Sequence, residues 1–208
     1  EWACPGPPNA PRRWAAPTPP LPPTGGSTRI GSCARPMRCT QWRRRPNTRG
    51  ARWGRAESII GQAISERPDS VIIATKCGVL LDDRRGSFIG VKNGHKTYIS
   101  LEPSVIVEEV EASLRRLNRD YIDLLQCHKP SISPAKTPIE ETMNCLMNLK
   151  KEGKVRAIGI SNVSLEELES YRRAGELDSN QFRYSMLSRV AEQEQTPFCK
   201  NNEMSRIA

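Results

Sequence analysis

From residue 53 onward, short apolar runs alternate with amphipathic stretches, each bounded by turn or cap residues. Residues 56–66 read as a helix with Ile59, Ile60, Ala63 and Ile64 on one face, stopped by Pro68. Residues 71–75 read as a buried strand rich in β-branched side chains. A second helix is expected from the N-cap candidate Ser104, with Val107, Val110, Leu114 and Leu117 on one stripe. Residues 121–127 form the next predicted strand. Thr137 and Glu140 have the spacing of a capping box, with Pro138 at the first helical position. The helix it opens is expected to bury Met143, Leu146 and Met147 and to close at Gly153. Residues 155–160 make a third strand. Ser164 and Glu167 form a second capping box, opening a helix that ends at Gly175. A fourth strand over 179–184 and a helix over about 191–201 follow.

Strict alternation of strand and helix implies βαβ units and a parallel sheet. The pattern alone does not separate an open, doubly wound sheet from a closed barrel. No strand is followed by GxGxxG, which removes the usual signature of the open dinucleotide fold and favours the barrel. Residues 79–102 read as a long connection at the strand-end rim, expected to cover a substrate, with His95 in it solvated.

The first part of the chain has no such pattern. Residues 1–55 hold 11 of the 17 prolines, and Leu21 and Ile30 are their only branched aliphatics. Nothing there could bury a face, so residues 1–52 are expected to be disordered, with a folded domain over 53–208. The net charge of +9 changes meaning in this light. Residues 1–55 carry 11 Arg against the single acid Glu1, which leaves −1 for the rest. The basicity therefore gives no reason to expect a nucleic-acid partner for the folded part. A composition rich in Arg, Pro, Gly, Trp and Cys is what GC-rich coding DNA yields when read out of frame, and that origin is the preferred reading of residues 1–52. A transit peptide is the main rival, and a nucleic-acid-binding arm is third. No apolar run of about 18 residues exists, so no membrane span is expected. The seven cysteines form no CxxC pair and no metal-spaced cluster, which fits reduced thiols in a cytoplasmic protein with no metal.

Polar residues fall at the carboxyl ends of successive strands, where a parallel barrel places its active site. Lys76 ends the first strand, His128 the second, and Ser161 and Asn162 the third, while Gln181 lies within the fourth. Each alone would be unremarkable; four strands marked at the same rim are harder to dismiss. Cys77 and Cys127 adjoin two of these residues, but alternation should turn them to the opposite face as packing residues.

Here a resemblance becomes specific. The segments Ile-Ala-Thr-Lys76-Cys-Gly, Tyr-Ile-Asp-Leu-Leu-Gln-Cys-His128-Lys-Pro, Gly-Lys-Val-Arg-Ala-Ile-Gly-Ile-Ser161-Asn162 and Asn-Gln181-Phe-Arg-Tyr184-Ser resemble four consecutive signature segments of the aldo-keto reductases. The resemblance runs from about residue 53 to 200. It implies an incomplete (β/α)8 TIM barrel of about four to five βα units, and NADP(H)-dependent reduction of an aldehyde or ketone by hydride transfer. By that resemblance, Lys76 lowers the pKa of a tyrosine acid and His128 orients and polarises the carbonyl. Ser161, Asn162 and Gln181 hold the nicotinamide carboxamide. These roles are physically sensible: a phenol with a pKa near 10 donates poorly at pH 7 without a neighbouring ammonium, and a carbonyl gaining charge needs pre-oriented donors.

The family's Asp and Tyr precede its first helix, in a segment similar to Asp-Thr-Ala-x-x-Tyr-Gly-x-Gly-x-Ser-Glu. Here Trp53-Gly-Arg-Ala-Glu57 matches its tail, which puts Ala51 at the Tyr position and Pro46 at the Asp position. The resemblance further implies that the sequence lacks the last strand and the basic loop that holds the adenosine phosphate. With the first two strands also absent, the sheet is expected to stay open at its edges. Three readings follow: a carbonyl reductase that is inactive as written, a non-catalytic member that binds cofactor or a partner, or a chain that does not fold.

Overall fold

The computed structural model of the protein describes residues 54–66, 71–82 and 85–208. The predicted disorder and boundary of residues 1–52 lie outside them. Eight strands and five helices occur among the described residues, in the order α1 (Arg55–Ala63), β1 (Ala74–Cys77), β2 (Val79–Leu81), β3 (Ser87–Lys92), β4 (His95–Ile99), α2 (Pro103–Leu117), β5 (Ile122–Cys127), α3 (Ile139–Lys151), β6 (Val155–Ser161), α4 (Leu165–Ala174), β7 (Ser179–Gln181), α5 (Gln195–Asn201) and β8 (Ser205–Ile207).

Five of the strands form one parallel sheet in the order β1-β5-β6-β7-β8. Each parallel strand lies beside its predecessor, with no reversal of strand order. A doubly wound sheet needs a reversal; an arc of a barrel does not. The core confirms the choice. Cys77, Leu125, Cys127, Ile158 and Ile160 of the sheet share one cluster with Ile106, Val110 and Leu114 of α2, Met143 and Leu146 of α3, and Leu168 and Tyr171 of α4. The helices therefore cover one face, and residues of alternate phase face the other way. Among the described residues β1 and β8 pair on one side only.

Local chemistry sets the element ends. Ser164 Oγ accepts from the Glu167 amide at 3.2 Å while Glu167 Oε2 accepts from the Ser164 amide at 2.9 Å, the expected capping box of α4. The other predicted box does not form. Thr137 is occupied with Ser131, whose Oγ accepts from its amide and donates to its carbonyl, each at 3.1 Å, and Pro138 caps α3 without a side-chain bond. Helix α2 starts at Pro103, with Glu102 rather than Ser104 as N-cap, because the imide lacks the N–H that a first helical residue leaves unpaired. Its buried face holds Val105, Ile106, Val110, Leu114 and Leu117, and Val107 is exposed.

Other expectations shift in the same way. The first strand is Ala74–Cys77 rather than 71–75, and Val71 and Ile72 are exposed. Asp123 Oδ2 takes the Ile73 amide at 2.9 Å, so the ladder with β5 opens only at Ala74. In α1, Ile59 and Ile60 are exposed and Gly61 is the buried contact. A Cβ at Gly61 would stand 2.5 Å from the Arg116 carbonyl oxygen, so the helices touch through the bare backbone. Strand β7 stops at Gln181, and the last predicted helix is a 3-10 turn at Val190–Glu192 followed by α5.

The largest departure lies in residues 79–102. They are not an irregular connection but a three-stranded antiparallel sheet in the order β2-β4-β3. Its β3–β4 turn carries Asn93 at φ 53° and Gly94 at φ 81°, the paired positive angles that a tight hairpin requires. The Asn-Gly pair between two alternating runs was a legible hairpin signal. The sheet is clasped to the β5–α3 connection: Ser87 Oγ donates to the Ile132 carbonyl at 2.5 Å and accepts from the Ala135 amide at 2.9 Å. His95, expected in solvent, is about half exposed and pairs with Asp82 at 2.6 Å.

Candidate active site

Strand register assembles the site. Lys76 is in line with Gln126 of β5, Gly159 of β6 and Ser179 of β7, all on the face turned from the helices. Two positions further along, the same face carries His128, Ser161 and Gln181, the last two in register with each other. The His128 amide donates to the Cys77 carbonyl at 2.9 Å, continuing the β1–β5 ladder past the end of β5.

Asn162 ties these ends together. It follows β6 with φ 60°, a left-handed conformation that Asn tolerates better than most residues. Its Nδ2 donates to the His128 carbonyl at 2.9 Å and to Ser161 Oγ at 2.8 Å, and its backbone amide donates to the Gln181 carbonyl at 3.0 Å. The structure thus joins His128, Ser161, Asn162 and Gln181 by direct hydrogen bonds. Lys76 joins them through its charge, which acts on the His128 ring.

Burial lowers the pKa of Lys76 below the ordinary lysine range. His128 is also shifted below its usual value, first by burial, then by the positive charges of Lys76, Lys129 and Lys92. At neutral pH the imidazole is therefore held uncharged, with one ring N–H available as a donor. Cys77 and Cys127 lie buried in the core on the helix side, as alternation requires. Their proximity, with burial, pushes the Cys77 thiol well up, so Cys77 is not an activated nucleophile.

The polar set also fits a nicotinamide carboxamide, which presents one N–H2 and one carbonyl. Ser161 Oγ accepts from Asn162 and keeps its own proton to donate; Asn162 uses Nδ2 internally and keeps Oδ1 to accept. The Gln181 side chain offers both kinds of group at the same edge.

Gln126, Gly159 and Ser179 were not singled out from the sequence, although a glutamine inside the run Ile-Asp-Leu-Leu-Gln-Cys is a signal. A Cβ on Gly159 would lie 2.3 Å from Ser179 Oγ and 2.9 Å from Gln126 Cγ. The bare glycine leaves the room over β6 that those two side chains occupy.

The fold and this rim define a class, and comparison with known proteins agrees. The family model "Aldo/keto reductase family" matches residues 52–208. The chain belongs to the aldo/keto reductase family. The NADH-specific methylglyoxal reductase of Escherichia coli (strain K12) is 44% identical over 154 residues, covering 74% of this chain and 47% of that protein. Aldo-keto reductase YhdN of Bacillus subtilis (strain 168) is 38% identical over 157 residues, covering 74% and 43%. Among solved structures, the glycerol dehydrogenase AKR11B4 from Gluconobacter oxydans superposes with a TM-score of 0.64 at 32% identity, covering 74% of this chain and 44% of that one. An aldo/keto reductase from Klebsiella pneumoniae in complex with NADP and acetate gives 0.58 at 27% identity, covering 74% and 48%. The chain thus spans about half the length of the curated relatives it matches. No helix among the described residues is long and apolar enough to cross a membrane.

Proposed function

We propose that this chain holds a nicotinamide cofactor, NADPH in the first instance, at Ser161, Asn162 and Gln181, and receives a small aldehyde or ketone at Lys76 and His128. The observation that supports this best is the hydrogen-bonded run from the His128 carbonyl through Asn162 to Ser161 and Gln181, on the face that also carries Lys76. When bound, the nicotinamide supplies the hydride. The residues of the chain orient and polarise. Uncharged His128 donates to the carbonyl oxygen, where negative charge gathers, and the Lys76 ammonium adds a positive field at the same rim.

Turnover is a separate matter. The positions matching the family's tyrosine acid and its aspartate are Ala51 and Pro46. Losing a general acid typically removes two to four orders of magnitude (~10²–10⁴-fold) of rate. The chain as written is therefore proposed to bind cofactor and to reduce carbonyls at most very slowly. NADH stays the competing cofactor, since the Escherichia coli relative is named as specific for it. A cytoplasmic setting fits the four buried free thiols Cys77, Cys127, Cys145 and Cys199.

The test begins with a thermal melt of the chain, then fluorescence titration with NADPH and NADH, then addition of an aldehyde while reduced nicotinamide is followed by absorbance. A cooperative melt, saturable NADPH binding weakened by Gln181→Ala, and no detectable oxidation are expected. Absence of binding by either nucleotide would sink the proposal, and oxidation at an ordinary rate would sink the claim of inactivity.

The second reading, a non-catalytic member of the family, is favoured by Pro46 and Ala51 themselves. Translating the DNA upstream of the Trp53 codon in all three frames separates it from a misread reductase. Asp, four residues, then Tyr in step with Trp53-Gly54-Arg55 points to the misread gene; their absence from every frame points to the binding protein.

A further inference from the structure

Positive charge at this rim is not matched by acid. Lys76 from β1, Lys92 from the end of β3 and Lys129, the next residue along the chain, all act on the charge of His128, and no carboxylate among the described residues does. None of the three lysines forms an ion pair among those residues, whereas Lys150 and Lys154 each hold two carboxylates. Each of these positive charges disfavours a proton on the imidazole, and an anion entering here offsets them.

A place for the anion's carrier adjoins them. A cleft of about 310 Å³ is lined by Ile89, Ile99, Lys129, Pro130, Ile132 and Asn162. The antiparallel sheet supplies Ile89 and Ile99, and the β5–α3 connection supplies Lys129, Pro130 and Ile132. Ser87 clasps these two walls together, so the cleft is built rather than incidental. Asn162, which holds the His128 carbonyl, is its link to the reaction rim. Lys129 is the one charged residue in the lining, and it is exposed to incoming solute.

We infer that this cleft selects carbonyl compounds bearing an anionic group, a carboxylate or a phosphate, seated at Lys129 with the apolar body against Ile89 and Ile132. The inference rests on the reading that Lys76 and His128 receive a carbonyl compound. The neighbouring lysines raise the local concentration of anions and steer them inward, an effect that weakens as salt screens it.

The test uses binding to the full chain, so it does not depend on turnover. The sequence holds only two histidines, His95 and His128, so each imidazole resonance can be assigned and followed by NMR. His95, paired with Asp82, reports that the fold is intact. Three probes are compared: benzaldehyde, 4-carboxybenzaldehyde and 4-formylphenyl phosphate. The charged aldehydes are expected to bind about two- to five-fold more tightly than benzaldehyde, the scale of one exposed ion pair. They should also raise the pKa of His128, and Lys129→Met should collapse the preference. Carboxylate preferred over phosphate, or the reverse, identifies which anion the cleft fits. Equal binding of all three, or a preference that survives Lys129→Met, overturns the inference while the reductase reading stands. If no aldehyde perturbs His128 and no nicotinamide nucleotide binds, both fall together.

Discussion

The side-chain amide of Asn162 donates to the backbone carbonyl of His128 at 2.9 Å, fixing the end of β5 to the end of β6. The residue that anchors the histidine is thus one of those read as cofactor-binding, and it links the two halves of the rim. Asn162→Ala removes the bonds to His128 and Ser161 and leaves a Cβ residue at φ 60° without a local polar compensation. A loss of about 2 kcal/mol is expected by urea titration. Asn162→Gly suits the backbone angle yet loses the same bonds, so it should be milder in stability while shifting the His128 resonance equally. Equal losses for both variants would show that the side-chain bonds, not the angle, set the stability.

Glu109 predicts a pH dependence. Its Oε2 accepts the Gly78 amide at 2.6 Å, joining α2 to the residue that separates β1 from β2. Burial raises its pKa from 4.5 to about 7, against the opposing pull of that amide and of Arg116. The folded state therefore keeps a proton that the unfolded state has already released. The stabilising contribution is complete below about pH 4.5 and is lost as pH rises through about 7. Glu109→Gln keeps an acceptor for Gly78 and cannot ionise. The difference in stability between variant and parent should grow by about 2 kcal/mol between pH 5 and 8, measured by denaturant unfolding at each pH. A parallel pair of stability curves would refute the raised pKa.

Gly159 gives a packing prediction. An alanine there would place its Cβ 2.3 Å from Ser179 Oγ, in a sheet where β5 and β7 leave no room to retreat. Gly159→Ala should cost about 2–3 kcal/mol, read as a lowered melting temperature. Removing the offending oxygen with Ser179→Ala should recover part of that loss in the double variant. Strictly additive effects would mean that the clash lies elsewhere.

Much of this molecule was legible in order and kind. The alternation of β-branched runs with 3.6-residue stripes is a local property, so the parallel βα units and their sequence could be read without coordinates. Ser164 and Glu167 act within one turn of each other, and their box formed as expected. Thr137 failed because its partner, Ser131, comes from a loop whose path the sequence does not state. Ile59 and Ile60 failed for a related reason: a periodic stripe marks a face able to be buried, and the approach of α1 to α2 at Gly61 used another face.

By itself the sequence determined the strand ends at which Lys76, His128, Ser161 and Asn162 fall, because a two-residue alternation and its turn signals are encoded in consecutive side chains; Gln181, read as lying within the fourth strand, proved to end it. Tertiary structure alone decided three things: the unreversed strand order that makes the sheet an arc of a barrel, the pairing of β2 with the 87–99 hairpin into a second sheet, and the placing of Lys92 where its charge acts on the His128 imidazole. The physical reason is common to all three. Register between strands, the seat of a hairpin and the summing of charges through space depend on contacts between residues far apart along the chain, and no local pattern specifies which distant partner wins.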